Sequence, residues 1–305
     1  MKIRIGMGNV PVRGAPGGDP DPACLVTELE THGVDSVWFS DLVSAPGVVD
    51  PLIGVAYAAG LTERLKLGMS VIVLPGRNPA VVAAQLASLA ALAPGRVLPV
   101  FGVRPARHAD RTVFPVPNEH RAEVFEEALR VVRALLTMPV VTHHGRFFHL
   151  SEASVAPLPA KPVDLWLSGR VPAALDRIGR LGDGWLGGNI TPAEAEVCRT
   201  SIVRAADRAD RTIEEDHYGT YVTIVQDDAE EHTVDALLAR LRQDRPDVDD
   251  PRTLLCWGWD DAREHLRQFT DIGLSKFVVR PAGTVTSRRA FLEAFTTELM
   301  PLENR

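Results

Sequence analysis

The sequence predicts an α/β protein: a single closed (β/α)8 barrel over residues 1–305, with insertion segments in its loops. Three observations carry that prediction. Short apolar β-type runs alternate with longer helical ones, and the runs number eight. The 305 residues fall within the usual length of such a barrel. The competing α/β architecture, an open doubly wound sheet binding a dinucleotide, calls for a Gly-rich fingerprint after its first strand. Here "GMGNVPVRGAPGGDP" is broken by three prolines instead.

In chain order the strand runs are "IRIGMG" (3–8), "SVWFSD" (36–41), "LKLGMSVIV" (65–73), "RVLPVFGV" (96–103), "VDLWLSG" (163–169), "DGWLGG" (183–188), "HYGTYVTIV" (217–225) and "SKFVVR" (275–280). Each is short and apolar enough to be buried on both faces, as parallel strands are. The segments between them read as helices. In "VFEEALRVVRALL" (124–136), Phe125, Leu129, Val132 and Leu136 recur at helical spacing over a charged face. Proline in the first turn opens "NPAVVAAQLASLAALAPG", "VPAALDRIGRLG" and "TPAEAEVCRTSI", with Asn78 and Thr191 as N-caps and Gly95 and Gly182 near the ends. Irregular excursions are expected at 104–118 and 138–162, and a helical insert near 229–250. The chain shows no internal repeat beyond the βα rhythm and no linker.

Composition narrows the function. With 45% hydrophobic and 24% charged residues the chain can bury one large core. No run approaches the roughly 18 apolar residues of a membrane helix, and the N-terminus lacks a signal-peptide core, so a cytoplasmic enzyme or binding protein is expected, with no membrane partner. A net charge of -7 supplies no basic stripe for nucleic acid, which leaves small molecules as the expected partners. Cys24, Cys198 and Cys256 are too widely spaced for a disulfide framework or a zinc motif. The run "HHGRFFH" gathers His143, His144 and His149, but the spacing fits neither a helical pair nor a common zinc motif, and no metal is expected.

A barrel of this kind builds its site where the strands end at their C-termini. Gly6, Gly8, Ser40, Asp41, Met69 to Val71, Gly102 to Arg104, Ser168 to Arg170, Gly187 to Asn189 and Arg280 fall there. In "LSGRVPAAL", a Gly-Arg turn followed by Pro at the first helical position offers free N–H groups, and Arg170 adds charge, which together suit a phosphate; an ordinary strand-to-helix turn reads the same way. Asp41 follows an apolar strand into the mouth, either as an acid/base or as a group that caps a turn or holds a neighbouring loop. In "CWGWDDAREHL", Trp257 is a candidate wall of a substrate pocket or a packing residue. Arg280 is a candidate for an anionic group or for a structural salt bridge.

Together the stretches "GVDSVWFSD", "TERLKLGMSVIVLPGRNPAVVAAQLASLAALAPGRV", "FEEALRVVRALLTMPVVTHHGRFFHL", "VDLWLSGRVPAALDRIGRLGDGWL" and "GLSKFVVRPA" resemble the bacterial luciferase-like (β/α)8 flavoproteins, and within them the actinobacterial oxidoreductases that use the deazaflavin coenzyme F420. The resemblance implies a deazaflavin ring across the barrel mouth, with Ser40 beside it. It also implies a non-prolyl cis peptide at Ser70-Val71 behind the ring, Gly102 and Val103 at its edge, and Ser168, Gly169 and Arg170 on its phosphate. The implied activity is hydride transfer to or from a small organic substrate. FMN-dependent monooxygenation and a catalytically silent ligand-binding barrel are the alternatives. Relatives are often dimers, so a homodimer is an expectation without an assigned interface. Two departures stand out. Leu42 occupies the place where many deazaflavin-dependent relatives carry an acid/base His, and "GVRPARHADR" puts Arg104, Arg107 and Arg111 where a glycine-rich segment is usual. With no His there, the proton would come from Asp41, from a residue the sequence does not place, or from water.

Overall fold

The computed structural model describes residues 1–14, 22–45, 48–105, 107–116 and 119–304. Its strands are β1 (Arg4–Met7), β2 (Ser36–Phe39), β3 (Lys66–Val73), β4 (Val97–Gly102), β5 (Val141–His144), β6 (His149–Ala153), β7 (Trp166–Leu167), β8 (Gly184–Gly187), β9 (Tyr218–Val225), β10 (Cys256–Trp257) and β11 (Lys276–Pro281). Eight of them close a parallel ring in the order β9-β11-β1-β2-β3-β4-β7-β8, with β8 pairing back to β9. These are the eight runs the sequence marks. Two features were not marked. The two-residue β10 adds to β9 outside the ring, and the segment expected to be irregular holds the antiparallel hairpin β5-β6.

That hairpin is held by one carboxylate. Glu127 accepts from the backbone N–H groups of Arg146, Phe147 and Phe148 and from His143 at 3.2 Å. Burial alone would raise its pKa, but the Phe148 N–H and His143 outweigh it and the carboxyl titrates below its usual range. The histidine run is therefore hairpin structure, with His143 engaged by Glu127.

The helices are α1 (Pro22–Thr31), α2 (Pro51–Leu61), α3 (Pro79–Leu92), α4 (Arg121–Thr137), α5 (Pro172–Leu181), α6 (Pro192–Arg208), α7 (Glu231–Asp244), α8 (Gly258–Asp271) and α9 (Arg288–Glu298). Their starts follow the sequence punctuation. Asn78 accepts from the N–H groups of Ala80 and Val81, and Thr191 forms a reciprocal capping box with Glu194.

Two apolar layers result. The larger lies between the ring and the helices and includes Ile5, Met69, Leu86, Phe101, Phe125, Leu135, Ile202 and Phe277. The smaller packs Trp38, Val100, Trp166, Leu186 and Val278 from five strands, and fills the barrel interior. Close approach demands glycine there: a Cβ on Gly68 would sit 2.2 Å from the Trp38 ring. Below this layer, at the strand starts, the Asp35 carboxylate meets Lys276 directly, with Arg4 at 3.6 Å and Lys66 at 3.8 Å. Above it lies the mouth.

Candidate active site

The C-terminal strand ends surround a cavity of about 460 Å³. Gly8 and Asn9 follow β1, Ser40 and Leu42 follow β2, Tyr221 and Thr223 come from β9, and Arg280 to Pro281 end β11. Helix α7 closes one side through Thr233, Ala236, Leu237 and Arg240. This helix packs on a small apolar cluster of its own, in which Val234, Leu238 and Leu241 meet Val225, Leu255 and Ala282.

Ser70, Val71, Gly102 and Val103 are not among the lining residues; they stand beside the cavity on the ends of β3 and β4, joined to it through Tyr221 of β9. The Ser70-Val71 peptide is cis, as the resemblance implies, and the β3-β4 register shifts between Ser70 and Ile72. Gly102 ends β4 so close to this bulge that a Cβ would lie 2.6 Å from Val71 Cγ2. Val103 follows, partly buried against the main core. Tyr221 donates its hydroxyl to the Ser70 carbonyl at 3.2 Å. Burial pushes the phenol pKa up, against the Ser70 contact and the nearby Arg280 charge.

Asp41 does not line the cavity. Its buried carboxylate accepts from Val73 N at 3.0 Å and from Arg77 Nη2 at 2.9 Å, while Arg77 Nε donates to the Val73 carbonyl at 3.1 Å. The group that sequence reading nominated for proton transfer thus ties the end of β2 to the end of β3. Leu42 faces the cavity in its place.

The segment after β7 forms a second cleft, of about 570 Å³, with Arg170, Val171, Pro172, Glu194, Cys198, Arg245 and Asp247 in its wall. Gly169 holds φ at +142°, a conformation that excludes a side chain. Among the described residues the backbone N–H groups of Gly169, Arg170 and Val171 find no acceptor, while Ser168 N donates to the Phe101 carbonyl. Helix α5 starts at this point without a side-chain cap. The Arg170 guanidinium is engaged elsewhere: it donates to the Asp244 carbonyl at 2.9 Å and lies 3.7 Å from Asp247. Arg245, almost wholly buried, bonds Glu194 and Asp247 and holds the Asp247 carboxyl down to about 2. The arginines of the cleft are therefore matched by acids, and its unspent donors are backbone N–H groups.

Trp257 stands apart from both cavities. Its ring lies under the Arg252 guanidinium at 3.9 Å, its indole N–H donates to the Arg252 carbonyl at 3.2 Å, and its backbone N–H donates to the Asp261 carboxylate at 2.7 Å. Arg104, Arg107 and Arg111 also lie outside the mouth lining. The first and last of these are near enough to Arg121 to lower its pKa further, after burial.

Tyr221, Thr223 and Arg240 were missed in the sequence, although each had a signal. Tyr221 and Thr223 alternate along one face of β9, and Thr233, Ala236, Leu237 and Arg240 share one face of α7 at helical spacing.

A family model described as luciferase-like monooxygenase matches residues 21–275, and the chain belongs to that family. A curated relative, the F420-dependent glucose-6-phosphate dehydrogenase of Kineococcus radiotolerans, is 34% identical over 172 residues, 54% of this chain and 51% of that one. The chain thus matches about half the length of that relative; others of the same description align over about nine-tenths of both chains at 28% identity or less. Among solved structures, an F420-dependent secondary alcohol dehydrogenase in complex with an F420-acetone adduct superposes with a TM-score of 0.82 at 20% identity, covering all of both chains. The FMN complex of the oxygenating constituent of Pseudomonas putida 3,6-diketocamphane monooxygenase gives 0.74 at 15% identity over 100% and 99%. These likenesses establish the barrel fold. Among the described residues, no helix is long and apolar enough to cross a membrane.

Proposed function

We propose that this chain is a deazaflavin (F420)-dependent oxidoreductase acting on a small organic substrate. The observation that carries the reading is the run of unpaired N–H groups at Gly169, Arg170 and Val171 beside an apolar barrel mouth. Such a run at a helix start suits a phosphate, and the mouth next to it suits a flat ring. The names of the F420-dependent relatives support the choice of cofactor. FMN also carries one phosphate and is the alternative.

A bound deazaflavin supplies the hydride chemistry; the protein supplies a fixed, dry position for it. Ser70, Val71, Gly102 and Val103, on the adjoining ends of β3 and β4, would back the ring, and Ser40 would meet it from the cavity wall. Gly169, Arg170 and Val171 would hold the phosphate through their backbone N–H groups, Ser168 being engaged by the Phe101 carbonyl, and Arg170 fixes the turn through Asp244. Asp41 positions the β3 end through Val73 and Arg77. A substrate reduced by hydride needs one proton. Besides Arg240 and Arg280, Tyr221 is the one ionisable side chain lining the mouth among the described residues. We assign the proton to it, with the phenol recharged from water afterwards.

The test is a pair of titrations, one with F420 and one with the same deazaflavin lacking its phosphate tail. The reading predicts that loss of the phosphate weakens binding at least 100-fold. Equal affinity for the two would remove the phosphate assignment.

We further propose a homodimer through the outer faces of α2 and α3. Helix α2 carries no charged residue yet exposes Ile53, Tyr57 and Leu61, and α3 exposes Val81 beside it. Light scattering on Ile53→Lys is expected to report a monomer where the parent chain is a dimer; a monomeric parent chain refutes the interface.

A further inference from the structure

Arg280 is the one cation of the mouth without a carboxylate partner among the described residues. It stands opposite Thr223 across the β11-β9 ladder, and its Nε donates to the Thr223 hydroxyl at 3.0 Å. Its guanidinium lies over the Tyr221 ring, 4.8 Å from the centroid. Burial lowers its pKa, and the charge of Arg240 adds to that. The other mouth arginine is matched, since Arg240 Nε lies 3.6 Å from Asp244. Among the described residues, no Asp or Glu lines the cavity.

A partly buried cation with one neutral hydrogen-bond partner is costly unless a ligand completes it. The Thr223 contact consumes Nε, so the two terminal nitrogens remain as a planar fork. That fork matches the two oxygens of a carboxylate. A phosphate dianion would bring more charge and more acceptor oxygens than one unmatched guanidinium satisfies.

We infer that the barrel mouth recognises its substrate through a single carboxylate seated end-on on Arg280, which makes the substrate class small carboxylic acids and not phosphate esters. This inference rests on the mouth being the substrate site of the proposed oxidoreductase. The rest of the acid lies against the apolar wall of Leu42, Leu237 and Ala282. Its carboxylate sits beside the Tyr221 hydroxyl, which leaves the neighbouring carbons within the cavity for chemistry.

The experiment titrates benzoate, its neutral twin benzamide, and inorganic phosphate into the F420-loaded protein by calorimetry. The titrations are repeated with a deazaflavin that lacks the acidic tail, because that tail is a second source of carboxylate. Benzoate is expected to bind at least tenfold more tightly than benzamide or phosphate with either cofactor. Arg280→Met is expected to reduce benzoate to the benzamide level while leaving F420 affinity within twofold. Arg280→Lys, which keeps the charge but loses the fork, is expected to fall between, and it serves if the Met variant does not fold. Benzoate no tighter than benzamide, phosphate tighter than benzoate, or indifference to both substitutions overturns the inference. Benzoate binding only with the tail-less deazaflavin assigns Arg280 to the cofactor tail and overturns it as well. Failure of F420 itself to bind is read separately and counts against the cofactor assignment.

Discussion

The Tyr221 hydroxyl donates to the Ser70 carbonyl across 3.2 Å, tying β9 to the bulge of β3. The phenol pKa is raised by burial, so the protonated form is the one the fold favours. The contribution of Tyr221 is thus complete below the unfolded value near pH 10 and is lost as pH rises through the higher folded value. Urea midpoints of the parent chain are expected to fall more steeply between pH 9 and 11 than those of Tyr221→Phe. In turnover, the same variant is expected to lower kcat about 100-fold with KM little changed. Equal pH slopes and an unaltered kcat would together remove Tyr221 from the proton path.

Asp41 and Arg77 form a pair in which the carboxylate is buried and the guanidinium largely so. Asp41→Ala leaves that cation and the Val73 N–H without their acceptor. A loss of about 2 to 3 kcal/mol is expected. Cofactor affinity falls with it, because Val73 ends the strand that carries Ser70 and Val71. If Asp41 were instead the proton donor, Asp41→Asn would keep the fold and lose only turnover; denaturation curves and cofactor titrations on both variants separate these outcomes.

At the opposite end of the barrel, Asp35 is nearly inaccessible. Burial raises its pKa, but Lys276 and then Lys66 more than offset this and hold it below the usual range. Its stabilising effect is therefore present above the unfolded value near pH 4 and disappears as pH falls through the folded one. Asp35→Asn, which strands the buried Lys276 charge, is expected to cost about 3 to 5 kcal/mol at pH 7. The gap between variant and parent is expected to narrow toward pH 3, as followed by chemical denaturation.

Thiol reactivity offers a simple check on packing. Burial, and next to it Asp261, pushes Cys256 up to about 12, and burial also raises Cys198. Cys24 is the one thiol with appreciable exposure. A thiol-disulfide reagent at pH 8 is expected to label one cysteine rapidly in the native protein and three after unfolding. Rapid labelling of Cys256 contradicts the packing around β10.

All eight barrel strands were legible because buried parallel strands leave short apolar runs between helix caps, a signal that needs no tertiary information. The hairpin β5-β6 was not, since its residues are half exposed and its order depends on Glu127, nearly twenty residues away. Strand ends alone nominated Ser40, which lines the mouth, and Ser70, Gly102 and Gly169, which lie outside its lining. Asp41 and Trp257 show the limit of that rule. Position at a strand end brings a side chain near the mouth, but which partner it meets, Arg77 or Arg252, is decided by neighbouring elements. Tyr221 went unread because it lies inside β9 and not at its end, and Arg240 because its helical face was legible while the place of α7 over the mouth was not.

The most direct test of the central claim is equilibrium binding of F420 and of FMN to the purified chain, each followed by the change in cofactor absorbance or fluorescence. F420 is expected to bind with low-micromolar or better affinity and FMN at least tenfold more weakly. Tight FMN binding with no measurable affinity for F420 would contradict it.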